Sequence, residues 1–374
     1  MPDNQYCEQY RELTKEIERV IHRYRQAELF NGSAAVCYKG RKLVYGGYGY
    51  ADRDAAPRTV TEHTRFLIGS NSKQFTAALI FRLAEQGMVD IAGHISDYLP
   101  YFRRDQGQRI TLHQLLTHTS GIYNYTDNPD LAKPETFRGY TVPEIIGEVS
   151  RPELEFEPGS SFKYSNTNYF ILGGIVEEVL GQPFPRVLQE RLLDPLGLSE
   201  TGYFQGDEDQ GLFAKQYFVE HNGSGNHIFT ELPWHRPELF FSAGNIYSSL
   251  ADMTRWIDLL LSGQVIPERF REIAFKTVYN NYACGIVTME AGLSELESLF
   301  RQGLQFVSKS IWTGEKVYRF ILHRGALHGY NSFWMAVPEL ELKVVLLSSF
   351  AAGVYPEEMI YYMLKALLKQ RIMG

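Results

Sequence analysis

Ser70 and Lys73 stand three residues apart in Gly69-Ser70-Asn71-Ser72-Lys73, at the point where a helical pattern begins. Residues three apart share one face of a helix, so the Lys73 amine comes within reach of the Ser70 hydroxyl. A serine hydroxyl is a weak nucleophile until a neighbouring base takes its proton, and the unpaired N–H groups of a helix start can hold the oxyanion formed on attack. Activation and oxyanion binding therefore meet at one place. Spacing alone is weak, because ordinary Ser and Lys usage gives about one Ser-x-x-Lys by chance in a chain of this length. A second match, Ser160-Ser161-Phe162-Lys163, follows the turn signal Pro158-Gly159 and leads into an extended stretch. The first match has the better context, against the bland reading of Ser70 as an N-cap.

Two further groups have the right chemistry. In Tyr164-Ser165-Asn166 a phenol held near cations can act as general base, and an amide can bind a substrate carbonyl or a neighbouring lysine. With 24 tyrosines in the chain, a core role is the default for any one of them. In His323-Arg324-Gly325-Ala326 an apolar strand ends beside a glycine that permits close approach. Its edge can align an extended substrate, and the Ala326 N–H can supply a second oxyanion donor. Alone, it is a histidine near a turn.

These residues need elements to hold them. Phe75, Ala78, Leu79, Leu83 and Ala84 form a helical stripe after Ser70, ending at Gly87. Further helices are expected over 111–117, 142–150, 167–180 and 184–193, and again over 356–370. The stretch SAAVCYKGRKLVYGGYGYAD reads as a hairpin turning at Lys39-Gly40, and VYRFILHRG and SFWMAVPELELKVVLLSS read as strands. Strands near both ends with helices between predict one composite unit over 1–374, with a mainly helical region at roughly 75–240. Ahead of it, Leu13, Ile17, Val20, Ile21 and Tyr24 make one apolar face of an N-terminal helix.

Composition narrows the function. The net charge of −7, from 37 basic and 44 acidic residues, argues against a general nucleic-acid binder and leaves small molecules or peptides as substrates. Cys7, Cys37 and Cys284 form neither a disulfide framework nor a zinc pattern. With no secretory signal pattern at the start and no apolar run of about 20 residues, a cytoplasmic protein without a membrane span is expected. Composition leaves the oligomeric state open.

Taken in order, Ser70-x-x-Lys73, Tyr164-x-Asn166 and His323-x-Gly325 resemble the three active-site motifs of serine β-lactamases and penicillin-binding proteins, in the Tyr-x-Asn form of class C enzymes. The surrounding stretches FLIGSNSKQFTAALIFRLAEQG, ITLHQLLTHTSGI, FEPGSSFKYSNTNYFILGGIVEEVLG and FSAGNIYSSLADMTRW extend the likeness, which runs from about residue 30 to the C-terminus. The resemblance implies an α/β fold of α+β type, an antiparallel sheet flanked by helices beside an all-helical region, with the site in the cleft between. It implies acyl-enzyme chemistry without metal or organic cofactor. Ser70 would attack, Lys73 and Tyr164 shuttle its proton, Asn166 contact substrate, and His323 take the third-motif cation position, with Arg324, Gly325 and Ala326 beside the substrate.

The chain departs from that pattern twice. His-Arg-Gly replaces the usual Lys-Thr-Gly, removing a hydroxyl that often holds a β-lactam carboxylate, so efficient β-lactam hydrolysis is not expected. Segment 290–309 is an apparent addition whose Leu293, Leu296, Leu299, Phe300 and Leu304 suggest an amphipathic helical face, read first as a local packing element and otherwise as a wall that shapes the substrate cleft. The leading expectation is a serine hydrolase of esters or peptide-like amides. An acyltransferase or peptide-cyclising enzyme using the same acyl-enzyme is the rival, and a sensor that acylates without turnover is a third reading. An ordinary histidine titrates near 6.5, so His323 is expected to contribute to the acidic limb of the activity profile, as a neutral group bonding Tyr164 or the leaving group.

Overall fold

A computed structural model describes residues 2–53, 57–130, 133, 139–206, 210–221, 227–234, 237–292, 295, 316–327, 329–351 and 356–372. Six strands, β1 Gly32–Tyr38, β2 Arg41–Tyr48, β3 Val287–Gly292, β4 Val317–Leu327, β5 Tyr330–Val337 and β6 Leu342–Ser348, form an antiparallel sheet in the order β3-β4-β5-β6-β1-β2. The two ends of the chain meet where β1 pairs β6, from Gly32 opposite Ser348 to Tyr38 opposite Leu342. Lys39 and Gly40 join β1 to β2 with φ of 49° and 72°, the paired left-handed conformations of a two-residue hairpin.

Both faces of the sheet are covered, which explains why Val344–Leu347 of β6 read as a continuous apolar run instead of an alternation. Val344 and Leu346 face one core with Leu13, Ile17, Ile21 and Tyr24 of the N-terminal helix Pro2–Gln26 and with Met359, Ile360 and Met363 of the C-terminal helix Pro356–Ile372. Val345 and Leu347 face the other, where the helical region packs. At its centre lies helix Ser72–Glu85, buried except at Arg82 and Glu85. Phe75 stacks on Trp256 of helix Leu250–Leu261 with centroids 3.9 Å apart. The stripe read from the sequence is therefore part of a helix buried all round.

The other expected helices form with caps that explain their limits. Thr111 and Thr141 cap Leu112–Leu116 and Val142–Val149 through capping boxes with Gln114 and Glu144. Gly181, at φ 62°, ends Asn166–Leu180. Phe184–Leu188 continues as a π turn over Gln189–Leu193. Within the region read as helical, the structure adds a hairpin of Tyr217–His221 and His227–Glu231 and the strand Gly202–Tyr203, which forms a small sheet with Phe66–Leu67 and Ile246–Ser248 at that region's margins. Strands of two or three residues leave no periodicity to read. Of the 290–309 addition, Glu290, Ala291 and Gly292 end β3, and its expected helical face lies outside the described residues. No helix among the described residues is long and apolar enough to cross a membrane.

Candidate active site

Strand β3 pairs β4 only over Val317–Leu322, so among the described residues His323–Leu327 have no strand paired on that side. The 3-10 turn Gly69–Asn71, which opens the helix Ser72–Glu85, packs there. Two glycines make the approach possible. A Cβ on Gly325 would stand 1.9 Å from the Ile68 carbonyl oxygen, and one on Gly69, at φ 53°, would stand 2.8 Å from the Ala326 nitrogen. Ser332 on β5 fastens the turn, donating from Oγ to the Ile68 carbonyl at 2.6 Å and accepting from Asn71 Nδ2 at 2.7 Å. Ser70 is thereby held beside the backbone of the third motif.

The Ser70 hydroxyl lies between two proton-bearing groups. Tyr164 OH donates to Ser70 Oγ at 2.7 Å, and Lys73 Nζ is 3.0 Å away on the other side. Lys73 is completely buried and also donates to Asn166 Oδ1 and to the Ala243 carbonyl, both at 2.8 Å. Those two acceptors match the two N–H bonds of a neutral amine, leaving its lone pair for the Ser70 hydroxyl hydrogen. Burial drives the Lys73 pKa well below its ordinary value, and burial also raises that of Tyr164, partly offset by its bond to Ser70 and by the positive charge of Arg324. Both shifts favour a neutral amine beside a neutral phenol. Asn166 is itself held, its amide N–H donating to Asn124 Oδ1 at 2.9 Å and its Nδ2 to Thr126 Oγ1 at 3.0 Å.

The chain reaches the Ala243 carbonyl through a backbone outlier. Phe241 has φ 35° and ψ −131° inside Pro237–Gly244, and its ring packs on Phe170 and Phe184 with centroids 4.9 and 5.3 Å away. Two residues on, Ala243 meets Lys73.

His323 lies on β4 beside this centre, almost fully buried, and its two ring nitrogens are bonded to Tyr282 and the Arg324 carbonyl. Its Nδ1 is 2.7 Å from the Arg324 carbonyl, which can only accept, so Nδ1 carries the hydrogen. Nε2 is then the acceptor for Tyr282 OH at 3.1 Å. The imidazole thus bonds Tyr282 where a bond to Tyr164 was expected. Burial and the nearby Lys73 push its pKa down to about 3, outside the acidic limb in which its titration was expected. Arg324, half-buried, is close enough for its charge to act on the Tyr164 phenol, and Ala326 is exposed along the open edge.

Tyr282 and His118, neither selected from sequence, complete the inner wall. Tyr282 stands edge-on to Tyr164 with centroids 6.0 Å apart, and the His118 ring lies 4.3 Å from that of Tyr164. A histidine and a tyrosine within otherwise ordinary loops offer no spacing signal. Among the described residues no group of three or more His, Cys, Asp or Glu is placed to hold a metal ion.

An antiparallel sheet backed by helices, with a helix start set against the edge of one strand, is the architecture of β-lactamases and penicillin-binding proteins. The family model described as Beta-lactamase matches residues 17–368, and the chain belongs to that family. Teichoic acid D-alanine hydrolase of Staphylococcus aureus (strain MRSA252) is 30% identical over 240 residues, which are 63% of this chain and 56% of that protein. The chain thus spans less than two thirds of the length of this curated relative. The octameric penicillin-binding protein homologue from Pyrococcus abyssi superimposes with a TM-score of 0.75 at 21% identity, covering 95% of this chain and 77% of that one. D-amino acid amidase from Ochrobactrum anthropi SV3, complexed with D-phenylalanine, gives a TM-score of 0.76 at 20% identity, covering 96% and 99%. At these identities the two structures show the shared fold.

Proposed function

We propose that the chain is a serine hydrolase working through a covalent acyl-enzyme on esters or peptide-like amides, with D-aminoacyl derivatives as the substrate class suggested by its relatives' names. The observation that carries this reading is the Ser70 hydroxyl held between a phenol donor at 2.7 Å and a buried amine at 3.0 Å. Ser70 Oγ attacks the carbonyl carbon as its proton passes to neutral Lys73, and the oxyanion is met by the N–H groups of Ser70 and Ala326. As the carbon–heteroatom bond breaks, Tyr164 gives its proton to the leaving group. The Lys73 ammonium, 4.9 Å from the Tyr164 ring centroid, restores that proton and returns to the neutral amine. Water then reverses the sequence and releases the acid.

Asn166 fixes Lys73 and contacts substrate, Gly325 gives the close approach, and Arg324 takes a negative substituent at the cleft. His323 is an uncharged part of the wall, acting through Tyr282. We place the enzyme in the cytoplasm, where the buried, free thiols of Cys37 and Cys284 would stay reduced. Neither nucleic acid nor a membrane takes part.

The test combines mass spectrometry after a fluorophosphonate with turnover of p-nitrophenyl esters and nitrocefin. Label on Ser70 and faster turnover of short-chain esters than nitrocefin are expected. Label on Ser160, or nitrocefin hydrolysis matching that of the esters, would replace this reading.

A further inference from the structure

His118 is fully buried and has φ 56°, a left-handed backbone for a residue other than glycine. That conformation lets one residue receive two backbone donors. Its carbonyl accepts the Lys163 N–H at 3.1 Å, and its Nδ1 accepts the Ser165 N–H at 3.2 Å. The two donors bracket Tyr164, whose ring lies against the imidazole with centroids 4.3 Å apart. Asn168 Nδ2 is also 3.2 Å from Nδ1, and its orientation is set by Ser120 Oγ donating to Asn168 Oδ1 at 2.7 Å.

A backbone N–H can only donate, so Nδ1 must be unprotonated and the ring hydrogen must sit on Nε2. Nε2 has no hydrogen-bond partner among the described residues; the rings of Tyr282, Tyr169 and Phe162 lie around the imidazole at 4.7, 5.3 and 6.1 Å. A second ring proton would set Nδ1–H against the Ser165 N–H. The titratable groups on the facing elements are Lys73, His323 and the phenols of Tyr164, Tyr169 and Tyr282. Burial first, and then the charges available to Lys73 and His323, oppose a cation at His118. A residue that merely filled space would need no acceptor at this point.

We propose that His118 is the positioning residue for Tyr164, its neutral imidazole fixing the Tyr164-Ser165-Asn166 segment so that the phenol reaches Ser70 and the amide reaches Lys73. This rests on the acyl-enzyme reading, in which both side chains act on one proton path.

His118→Asn keeps an acceptor near the Nδ1 position, His118→Gln moves it toward Nε2, and His118→Leu removes it. With p-nitrophenyl acetate, the Leu variant is expected to lose about 10- to 100-fold in kcat with KM changed by less than about 3-fold, and Asn to recover to within about 5-fold of the parent. Gln should fall below Asn. An Asn variant no better than Gln, or a Leu variant as active as the parent, would overturn the proposal. If Leu does not fold, the Asn–Gln comparison decides. Nitrogen-15 NMR of the histidine-labelled parent gives an arm independent of turnover. Nε2–H tautomer for His118 is expected across about pH 6 to 8, whereas Nδ1–H or imidazolium would overturn the assignment. Failure of the parent to label at Ser70 would count against the proposed hydrolase, while the tautomer measurement would still judge the role of His118.

Discussion

Ser-x-x-Lys occurs twice in this chain, and the second copy ends immediately before Tyr164. Lys73 is completely buried among the Ser70 hydroxyl, the Asn166 amide oxygen and a carbonyl. The Lys163 side chain is 43% exposed and lies 2.6 Å from Glu155 and 3.5 Å from Asp127. Burial lowers the first amine's pKa; the bond to Glu155 raises the second's. Ser160 Oγ meanwhile donates to the Glu157 carbonyl at 2.7 Å, completing a local turn. The same three-residue spacing therefore produces a neutral amine beside a hydroxyl in one place and a stabilised ammonium in the other. Environment, and the absence of a counter-charge in particular, separates a base from a surface ion pair.

The largest expected contrast follows directly. Ser70→Ala should lower ester turnover by at least about 10⁴-fold, whereas Ser160→Ala should stay within about 2-fold. Steady-state kinetics on folded variants, checked by circular dichroism, measure both. Equal losses would erase the distinction between the copies. Lys73→Met should follow at about 10²- to 10⁴-fold, the range of a lost general base.

The pH dependence sharpens the comparison further. Lys73 must lose a proton to act, so activity should rise with pH through its lowered pKa. His323→Gln should leave that rise in place, because burial and the nearby Lys73 hold His323 down to about 3, well under the ordinary histidine range, and its bonds run to Tyr282 and the Arg324 carbonyl. A flattened rise in the Gln variant would return the ionisation to His323. Stability carries the same sign. Between the lowered Lys73 pKa and the ordinary value of about 10.4, the unfolded chain binds a proton that the folded chain does not. The contribution of Lys73 to unfolding free energy is therefore least below the folded pKa, rises with pH across that window, and levels off above it. Urea unfolding of Lys73→Met should lack this component, so the difference between variant and parent should change with pH in that window and nowhere else.

Much of this contrast was legible in the sequence, because the helix after Ser70 and the Pro-Gly turn before Ser160 differ in pattern. The sheet was legible for the same reason, since β4, β5 and β6 are long apolar runs with turns between them. Other parts could not be read. The Ala243 carbonyl that helps hold Lys73 is backbone, invisible in residue type, and is presented by a turn at Phe241 that no propensity suggests. The charge state of His323 depended on its burial and on Lys73, far away in the chain, and its bonding partner Tyr282 lies 41 residues off. Reading that position from residue type supplied an ordinary pKa where the fold imposes a very different one. Short strands such as Phe66–Leu67 were lost because two residues carry no period.

The smallest effect tests the outer copy. Lys163→Met removes the cation between Glu155 and Asp127 but leaves the backbone bond from Lys163 N to the His118 carbonyl intact. Both ion pairs are well exposed, so solvent and salt screen them, and their loss should cost about 0 to 1 kcal/mol. In a chain of this size that corresponds to a Tm decrease of no more than about 4 °C, shrinking further as salt is added. Turnover should change by less than about 3-fold, because an exposed charge loses most of its influence on a screened path into the site. Scanning calorimetry at low and high salt, paired with kinetics on the same preparation, measures both. A loss of 10-fold or more in kcat with Tm preserved would mean that the Lys163 charge acts on Tyr164 after all, and the two copies would then have to be treated as one coupled pair of lysines flanking a single phenol.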